Sequence, residues 1–257
     1  MIFYIYLIKA ALITVFVFSL ISCKKDQTGP DVNAVQVISD TPSFVEDFND
    51  PDWENNNGAT VWHQASWMQN GTQMDVNRCQ AIDGKLTLTV LPGEPYRGGS
   101  IQTRKDDWGY GRWEARLKPS NVPGTLNSMF TMDWNGATYE EVDIEFLTYT
   151  FGENEGEVHF ALHEEGQTNY WWQDAPLDFN PSDGFHIWAI QILPDSVSWY
   201  ADQKRIRTVV YNDQFRLTSP YQFFFNAWTK ETWIYGPPAD TAIYEIDWVK
   251  FYPAIEN

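Results

Sequence analysis

The chain of 257 residues contains only two cysteines, Cys23 and Cys79, and only four histidines. Two cysteines are too few for a fold that depends on a framework of disulfide bonds. The sequence also has no group of histidines and cysteines at the spacing of a zinc site, which disfavours a metalloenzyme. Neither cysteine chemistry nor a bound metal is therefore expected to carry the function.

Basic residues are scarce as well, since 17 Lys and Arg stand against 35 Asp and Glu, for a net charge of −18. This charge disfavours nucleic acid, an anionic membrane surface and a highly sulfated polysaccharide as partners. Aromatic residues, by contrast, make up 16% of the chain. Aromatic faces stack well on the apolar faces of sugars, so a neutral polysaccharide fits this composition better.

Amphipathic helices and internal repeats are absent from the sequence pattern, whereas short stretches of alternating apolar and polar residues recur along the chain. Gly, Pro, Asn and Asp separate these stretches, as at Asp83-Gly84. Many short strands divided by turns predict an all-β sandwich, and no change of composition divides residues 43–257, which we expect to form one domain. The predicted strands are 85–91, 113–117, 128–132, 141–147, 157–162, 185–192, 197–200, 205–211, 221–228 and 242–252.

The N-terminal segment has a different composition. Residues 2–22 are apolar apart from Lys9 and end in Leu-Ile-Ser before Cys23, a pattern typical of a bacterial secretion signal. The cysteine at this junction is similar to the lipobox of bacterial lipoproteins, which implies lipidation of Cys23 and an outer-membrane location in a Gram-negative bacterium. The alternative is an uncleaved membrane anchor. Residues 23–42 are polar and predicted to be a flexible tether, which leaves Cys79 as a buried, unpaired thiol.

The most informative segment is Glu-Val-Asp-Ile-Glu at residues 141–145. Strict alternation on a strand places Glu141, Asp143 and Glu145 on one face, while Val142 and Ile144 point into a core. Like charges on one face destabilise a sheet, so a structural strand has little reason to carry them. Glycoside hydrolysis requires two such carboxylates, and a twisted strand can bring the two Glu side chains to the ~5–5.5 Å of a retaining pair. An acidic solvated edge strand and a metal-binding face are the alternatives.

The acidic segment and several others resemble glycoside hydrolase family 16. The acid strand resembles the active-site strand of that family, and the other matching segments follow in the family's order between residues 43 and 253. These segments are 109–118 (GYGRWEARLK), 184–188 (GFHIW), 197–202 (VSWYAD), 226–228 (NAW) and 244–252 (YEIDWVKFY). The resemblance implies a concanavalin-like jelly roll of two antiparallel sheets, with a concave cleft that binds a glycan.

The resemblance also implies a role for each acid. Glu141 matches the nucleophile, Glu145 the acid/base and Asp143 the assisting carboxylate, with no cofactor needed for catalysis. A general acid useful near neutral pH needs a raised pKa, which two neighbouring anions supply. A protonated Asp143 would help to keep Glu141 ionised. We therefore expect a retaining glycosidase that works by double displacement.

The plain spacing of the acids resembles licheninases and xyloglucan-acting enzymes, whereas laminarinases, agarases and carrageenases usually carry an extra residue that bulges the strand. A neutral β-glucan, with β-1,3-1,4-glucan favoured, is therefore the expected substrate. The candidate substrate-binding residues are Asn70, Tyr139, His163, Asn226, Trp228 and Trp233. Core packing is the alternative for the two tryptophans. Tyr139, Ala161 and His163 depart from the licheninase pattern, and residues 169–173 have no counterpart in it.

Other functions remain open at this stage. A transglycosylase would share all three acids, the substrate could be xyloglucan, β-1,3-glucan or an algal galactan, and a noncatalytic glycan-binding lipoprotein could use the same fold. The resemblance also implies a structural calcium ion away from the cleft, with Asp247 as a side-chain ligand and Asp47 and Gly84 as carbonyl ligands. We expect a monomer.

Overall fold

Strands dominate the computed structural model, which describes residues 36–50, 52–54, 61–64, 66–134, 139–164, 169–211, 217 and 221–256. The described part includes eighteen strands and the 3-10 turns Val76–Arg78 and Thr148–Thr150. The first nine strands are β1 Gln36–Ile38, β2 Phe44–Glu46, β3 Trp62–Gln64, β4 Met68–Gln69, β5 Thr72–Met74, β6 Cys79–Ile82, β7 Lys85–Val90, β8 Arg97–Thr103 and β9 Gly111–Lys118. The others are β10 Leu126–Trp134, β11 Tyr139–Leu147, β12 Gly156–Glu164, β13 Asn169–Leu177, β14 His186–Leu193, β15 Ser196–Ala201, β16 Lys204–Val210, β17 Gln222–Trp228 and β18 Ala242–Glu256.

The strands form two nine-stranded sheets, which confirms the expected all-β sandwich. The acid-bearing sheet has the order β13-β12-β11-β10-β17-β8-β5-β4, with β3 paired to β8. The backing sheet has the order β16-β15-β14-β9-β18-β7-β6, with β1 and β2 paired to β18. All pairs are antiparallel except β5 with β8. The acid strand β11 lies inside its sheet, between β10 and β12.

Alternation along each strand builds the core between the sheets. On β9 the burial alternates residue by residue, as the GRWEARLK pattern predicts. On β11 the side chains of Val142, Ile144 and Phe146 are fully buried, so the acids necessarily project from the opposite face. Aromatic side chains fill much of the space between the sheets, for example Trp113 stacked on Phe223 at 4.1 Å.

One hydrogen bond ties the acid strand to the backing sheet. The buried indole of Trp199 on β15 donates from Nε1 to the main-chain carbonyl of Asp143, at 2.9 Å. The same indole stacks on Phe160 of β12 and on Trp171 of β13. Trp199 therefore supports three adjacent strands of the acid-bearing sheet from below, directly under the central acid.

The structure corrects some of the expected boundaries. Strand β1 lies in the stretch assigned to the flexible tether, but its residues pair with the end of β18, so the folded part begins before residue 43. The main chain of β18 extends to Glu256 and provides partners for Val37 and Ile38. Strands β1 to β6, β8 and β13 were not predicted; β8 contains Gly98 and Gly99, and residues 169–173 of β13 have no family counterpart.

The predicted signal peptide and Cys23 lie outside the described residues. Within the part of the chain that the structure describes, no helix has the length and apolar character needed to cross a membrane.

We predict that Trp199→Phe lowers the free energy of unfolding by about 1–2 kcal/mol more than Trp188→Phe, because only Trp199 loses a buried hydrogen bond. Trp188 is a matched control, since it is equally buried in the backing sheet and its Nε1 has no hydrogen-bond partner among the described residues. Urea unfolding of both variants provides the comparison. Equal losses would show that the bond to Asp143 does not contribute to stability.

Candidate active site

Three acids line a narrow cleft on the open face of the acid-bearing sheet. Glu141 and Glu145 are half-buried, and Asp143 between them is only 4% exposed. The side chains of Asp143 and Glu141 are hydrogen-bonded to each other. The cleft around the three acids is also lined by Trp67, Gln69, Ser128, Phe130, Met132, Asn226 and Trp228. The alternation predicted from the sequence thus places all three acids together.

Strand β12 places a histidine opposite each glutamate. In the register between the strands, His163 faces Glu141, Ala161 faces Asp143 and His159 faces Glu145. The Nε2 atom of His163 lies 3.6 Å from an oxygen of Asp143. Each end of the acid row is therefore bordered by an imidazole.

His159 links Glu145 to a fourth acid, Asp174 on β13. Its Nδ1 lies 2.6 Å from Oδ1 of Asp174, and its Nε2 lies 3.7 Å from Oε2 of Glu145. Because the carboxylate of Asp174 accepts a hydrogen bond from Nδ1–H, the other ring nitrogen is directed at Glu145. Sequence reasoning missed Asp174, since its position opposite His159 depends on the pairing of β12 with the unpredicted strand β13.

On the side of β10, Glu145 faces a hydrogen-bonded pair of polar residues, Ser128 and Asn226. Ser128 on β10 faces Glu145 in the register, and its hydroxyl donates to Oδ1 of Asn226 at 2.6 Å. This hydrogen bond fixes which way the amide of Asn226 is turned in the cleft. The predicted role of Asn226 in binding substrate hydroxyls is thus consistent with its position.

Burial raises the pKa values of all three acids, and the charges of neighbouring carboxylates raise those of Asp143 and Glu145 further. Burial raises the pKa of Glu141 to about 7, although the hydrogen bond from Asp143 by itself lowers it. Burial, followed by the charge on Glu141 and that on Asp174, raises the pKa of Glu145 to about 8. Burial and the charges of both glutamates raise the pKa of Asp143 well above its usual range. Near neutral pH, Glu141 is therefore the acid that ionises most readily, with a proton on Asp143 to stabilise it and a proton on Glu145.

His163 is neutral under the same conditions, because burial lowers its pKa to about 4. Glu141, Asp143 and His163 each offer one ligand atom within 4.8 Å of the others, so this group could hold a metal ion. The chemistry of two carboxyl groups in different protonation states does not require one.

A cavity of about 580 Å³ lies beside Glu141, away from β12. Glu141 lines this cavity, together with Trp67, Met68, Gln69, Gln102, Met132, Tyr139, Gln222 and Phe224. Tyr139 was expected to bind substrate, whereas Trp67 and Phe224 were missed. Trp67 stands two positions before the Gln69-Asn70-Gly71 turn, and an aromatic residue at that place is the signal that could have indicated its role.

The predicted substrate residues do not all lie in the cleft. Asn70 is exposed in a turn with φ of 48° and does not line the cleft or the cavity. Trp228 lines the cleft but is only 3% exposed, since it packs with Leu126, Leu147 and Ile234. Trp228 is therefore better described as a core residue, the alternative given above, than as a surface on which a sugar ring stacks. Trp233 is 43% exposed and can present a face to a sugar.

The side-chain ligand expected at the calcium site already has a cationic partner. A guanidinium nitrogen of Arg116 on β9 donates to the carboxylate of Asp247, the only charged side-chain ligand expected. The side chain of Asp47 accepts a hydrogen bond from the main chain of Asn49, at 3.2 Å. At Gly84, which has φ of +69°, Asn49 also occupies the adjacent space. The carboxylate expected to bind the ion is thus already paired with a cationic side chain.

An ionised carboxylate and a protonated one on a single strand, within an aromatic cleft, define a glycosidase site. The sequence profile of "Glycosyl hydrolases family 16" matches residues 54–250. Since this match spans most of the chain, the protein belongs to glycosyl hydrolase family 16.

Individual relatives agree with this assignment. A β-glucanase of Brevibacillus brevis is 29% identical over 225 residues, covering 82% of this chain and 82% of the relative. A solved β-1,3-1,4-glucanase (lichenase) derived from a mouse hindgut metagenome is 25% identical, with a TM-score of 0.66, over 82% of this chain and 99% of the other. The fold is also that of the Bacillus licheniformis β-glucanase, with a TM-score of 0.69 at 23% identity, over 83% and 99% of the two chains.

We predict that Glu141→Gln lowers the pKa of Glu145, because it removes the negative charge that raises it. In the double displacement expected from the sequence, the same charge disappears when Glu141 forms its covalent bond, so the variant mimics the state in which Glu145 would act as a base. Titration of ¹³C-labelled Glu carboxyl groups by NMR measures this change, with a Glu145→Gln spectrum for assignment. The exposed Glu153 provides a control, since Glu153→Gln should leave the pKa of Glu145 unchanged. An unchanged or higher pKa in Glu141→Gln would show that the two carboxyl groups are not coupled.

Proposed function

We propose that this protein is a retaining, endo-acting β-glucanase that prefers a neutral β-1,3-1,4-glucan. The observation that carries the proposal is the unbroken register of the acid strand. From Glu141 to Glu145, β11 pairs residue for residue with β10 and β12, without a bulge. This is the plain form that licheninases have, and the β-glucanase relatives support the same substrate class.

The first step is attack by the carboxylate of Glu141 on C1 of the sugar held in the cavity beside it. As the bond between C1 and the glycosidic oxygen breaks, Glu145 gives its proton to that oxygen, and the leaving chain departs as an alcohol. Asp143 remains protonated and donates to Glu141. The product of this step is an ester between C1 and Glu141.

The second step returns the enzyme to its starting state. Water attacks C1, its proton passes to Glu145, and the ester bond breaks to release the carboxylate of Glu141. Two inversions at C1 leave its configuration unchanged. A sugar hydroxyl in place of water would give transglycosylation with the same residues.

Lining residues on both sides of the acids support an endo mode of cleavage. Trp67 and Phe224 lie on the Glu141 side, whereas Trp172 stacks on His159 on the Glu145 side at 5.4 Å. A glucan chain can therefore extend in both directions from the bond that is cleaved.

We predict the highest turnover on mixed-linkage β-1,3-1,4-glucan, with lower activity on laminarin, xyloglucan and carboxymethyl cellulose and none on agarose. Release of reducing ends by the purified protein measures this. Glu141→Gln should abolish turnover on every polymer, because the amide cannot form the ester, whereas Glu153→Gln should retain it. Activity confined to galactans, or glucan binding without cleavage by the wild-type protein, would contradict the proposed function.

For the N-terminal segment, we propose that residues 1–22 are a signal peptide, that Cys23 is lipidated, and that the catalytic domain is held as a monomer at the outer membrane. The apolar stretch before Cys23 supports this. Labelling of cells with a radioactive fatty acid should mark the wild-type protein. If Cys23→Ser carries the same label and remains with the membrane, Cys23 is not the site of attachment.

For the expected calcium site, we propose that Arg116 supplies the positive charge at Asp247. Thermal melting of the wild-type protein should then give the same Tm with calcium and with chelator at equal ionic strength. A clear rise of Tm with calcium would contradict this, because a ligand that binds only the folded state raises its stability.

A further inference from the structure

Four side chains form a row across the acid-bearing sheet, one from each of four neighbouring strands. They are Ser128 of β10, Glu145 of β11, His159 of β12 and Asp174 of β13, each directly opposite the next in the register. Side chains that stand opposite each other on neighbouring antiparallel strands are close enough to interact. The acid/base of the proposed reaction, Glu145, therefore has a defined neighbour on each side.

The two neighbours of Glu145 differ in what they offer it. The hydroxyl of Ser128 donates to Oδ1 of Asn226 at 2.6 Å, so its proton is directed away from Glu145. On the other side, Nε2 of the buried His159 lies 3.7 Å from Oε2 of Glu145. The direction in which the imidazole is turned thus decides which atom this carboxyl oxygen meets.

Asp174 fixes the direction of the imidazole. Its Oδ1 lies 2.6 Å from Nδ1 of His159. A half-turn of the ring would replace Nδ1 by a carbon at Asp174 and replace Nε2 by a carbon at Glu145. The stack with Trp172 fixes only the plane of the ring, because a half-turn leaves that plane unchanged. The hydrogen bond to Asp174 is therefore the contact that selects the orientation with a nitrogen facing Glu145.

The row that contains the nucleophile has no acid at the corresponding place. Glu141 lies opposite His163, and the residue opposite His163 on β13 is Tyr170. Of the two imidazoles, the one with an acid opposite it on β13 is thus the one beside Glu145. In the proposed reaction it is Glu145 that transfers a proton in both steps, and proton transfer requires hydrogen-bonding distance between the two groups.

We propose that Asp174 is a positioning residue for the acid/base and acts through His159. By keeping Nε2 of the imidazole turned towards Oε2 of Glu145, it confines this carboxyl group, so that the other oxygen faces the glycosidic oxygen of the departing sugar. The inference rests on the proposed function and assigns a further residue to it. Displacement of a reacting group by about 1 Å can cost about 100-fold in rate, so a residue that does not line the cleft can affect the reaction.

The test compares two substrates that share the same attacked sugars and differ in the group that departs. One is a β-glucan oligosaccharide, whose departing sugar needs a proton from Glu145. The other is the 2,4-dinitrophenyl β-glycoside of the same sugars, whose departing phenolate needs none. Asp174→Ala should lower kcat/KM about 10- to 100-fold for the oligosaccharide and by a much smaller factor for the dinitrophenyl glycoside.

Three further variants show how Asp174 acts. Asp174→Asn should retain most of the activity, because an amide oxygen still accepts a hydrogen bond from Nδ1–H. His159→Ala should show the same selective loss as Asp174→Ala, and the double variant should lose no more than His159→Ala alone. Asp178→Ala, which removes an exposed acid just after β13, should leave kcat/KM for both substrates unchanged.

Three results would overturn the inference. Equal factors for the two substrates in Asp174→Ala would mean that the residue serves the fold or the cleft rather than proton transfer. Losses that multiply in the double variant would mean that Asp174 acts without His159. An Asp174→Asn protein as impaired as Asp174→Ala would mean that the charge matters and the hydrogen bond does not. A wild-type protein that does not cleave the oligosaccharide would overturn the proposed function itself, and the inference with it.

Discussion

Repulsion between three carboxyl groups on alternate residues of one strand is the constraint on which the rest of this structure depends. Side chains that are buried side by side cannot all be ionised, so protons must be shared among Glu141, Asp143 and Glu145. Burial raises the pKa values of the three acids, and the repulsion that would weaken an ordinary strand adds to this at Asp143 and Glu145, which together produce the two protonation states that a glycosidase needs. The strand must therefore be stabilised by other contacts.

Those contacts lie beneath the strand and on both of its edges. Val142, Ile144 and Phe146 are fully buried in the core, and Trp199 donates a hydrogen bond to the main chain of Asp143. Strand pairing on both sides keeps the strand in one register over the whole acid segment. These contacts hold the carboxyl groups at fixed separations, so that their interaction can be used in both steps of the reaction.

The two ends of the acid row have different environments. Glu141 opens onto a cavity lined by Trp67 and Phe224, whereas Glu145 is bordered by His159, which in turn contacts Asp174 and Trp172. The pKa of Glu145 is raised by burial and by the negative charges of Glu141 and Asp174, whereas that of Glu141 is raised by burial. This asymmetry supports the division of the two glutamates into acid/base and nucleophile, which the family resemblance implied from their order alone.

Features that depend on short sequence patterns were predictable, and features that depend on pairing between distant strands were not. The period of two on β11 was enough to place the acids on one face and Val142 and Ile144 in the core. The contact between His159 and Asp174 required the register of β12 with β13, which no local pattern specifies. The burial of Trp228 and the Arg116–Asp247 ion pair likewise depend on residues far away in the sequence.

The configuration of the first product tests the central claim most directly, namely that Glu141 and Glu145 act by double displacement. Proton NMR of a β-glucan digest, recorded before mutarotation, shows the anomeric signal of the newly released reducing end. The account predicts the β-anomer first, with the α-anomer appearing only as mutarotation proceeds. Initial release of the α-anomer would contradict it, because it would mean direct attack by water and no covalent bond to Glu141.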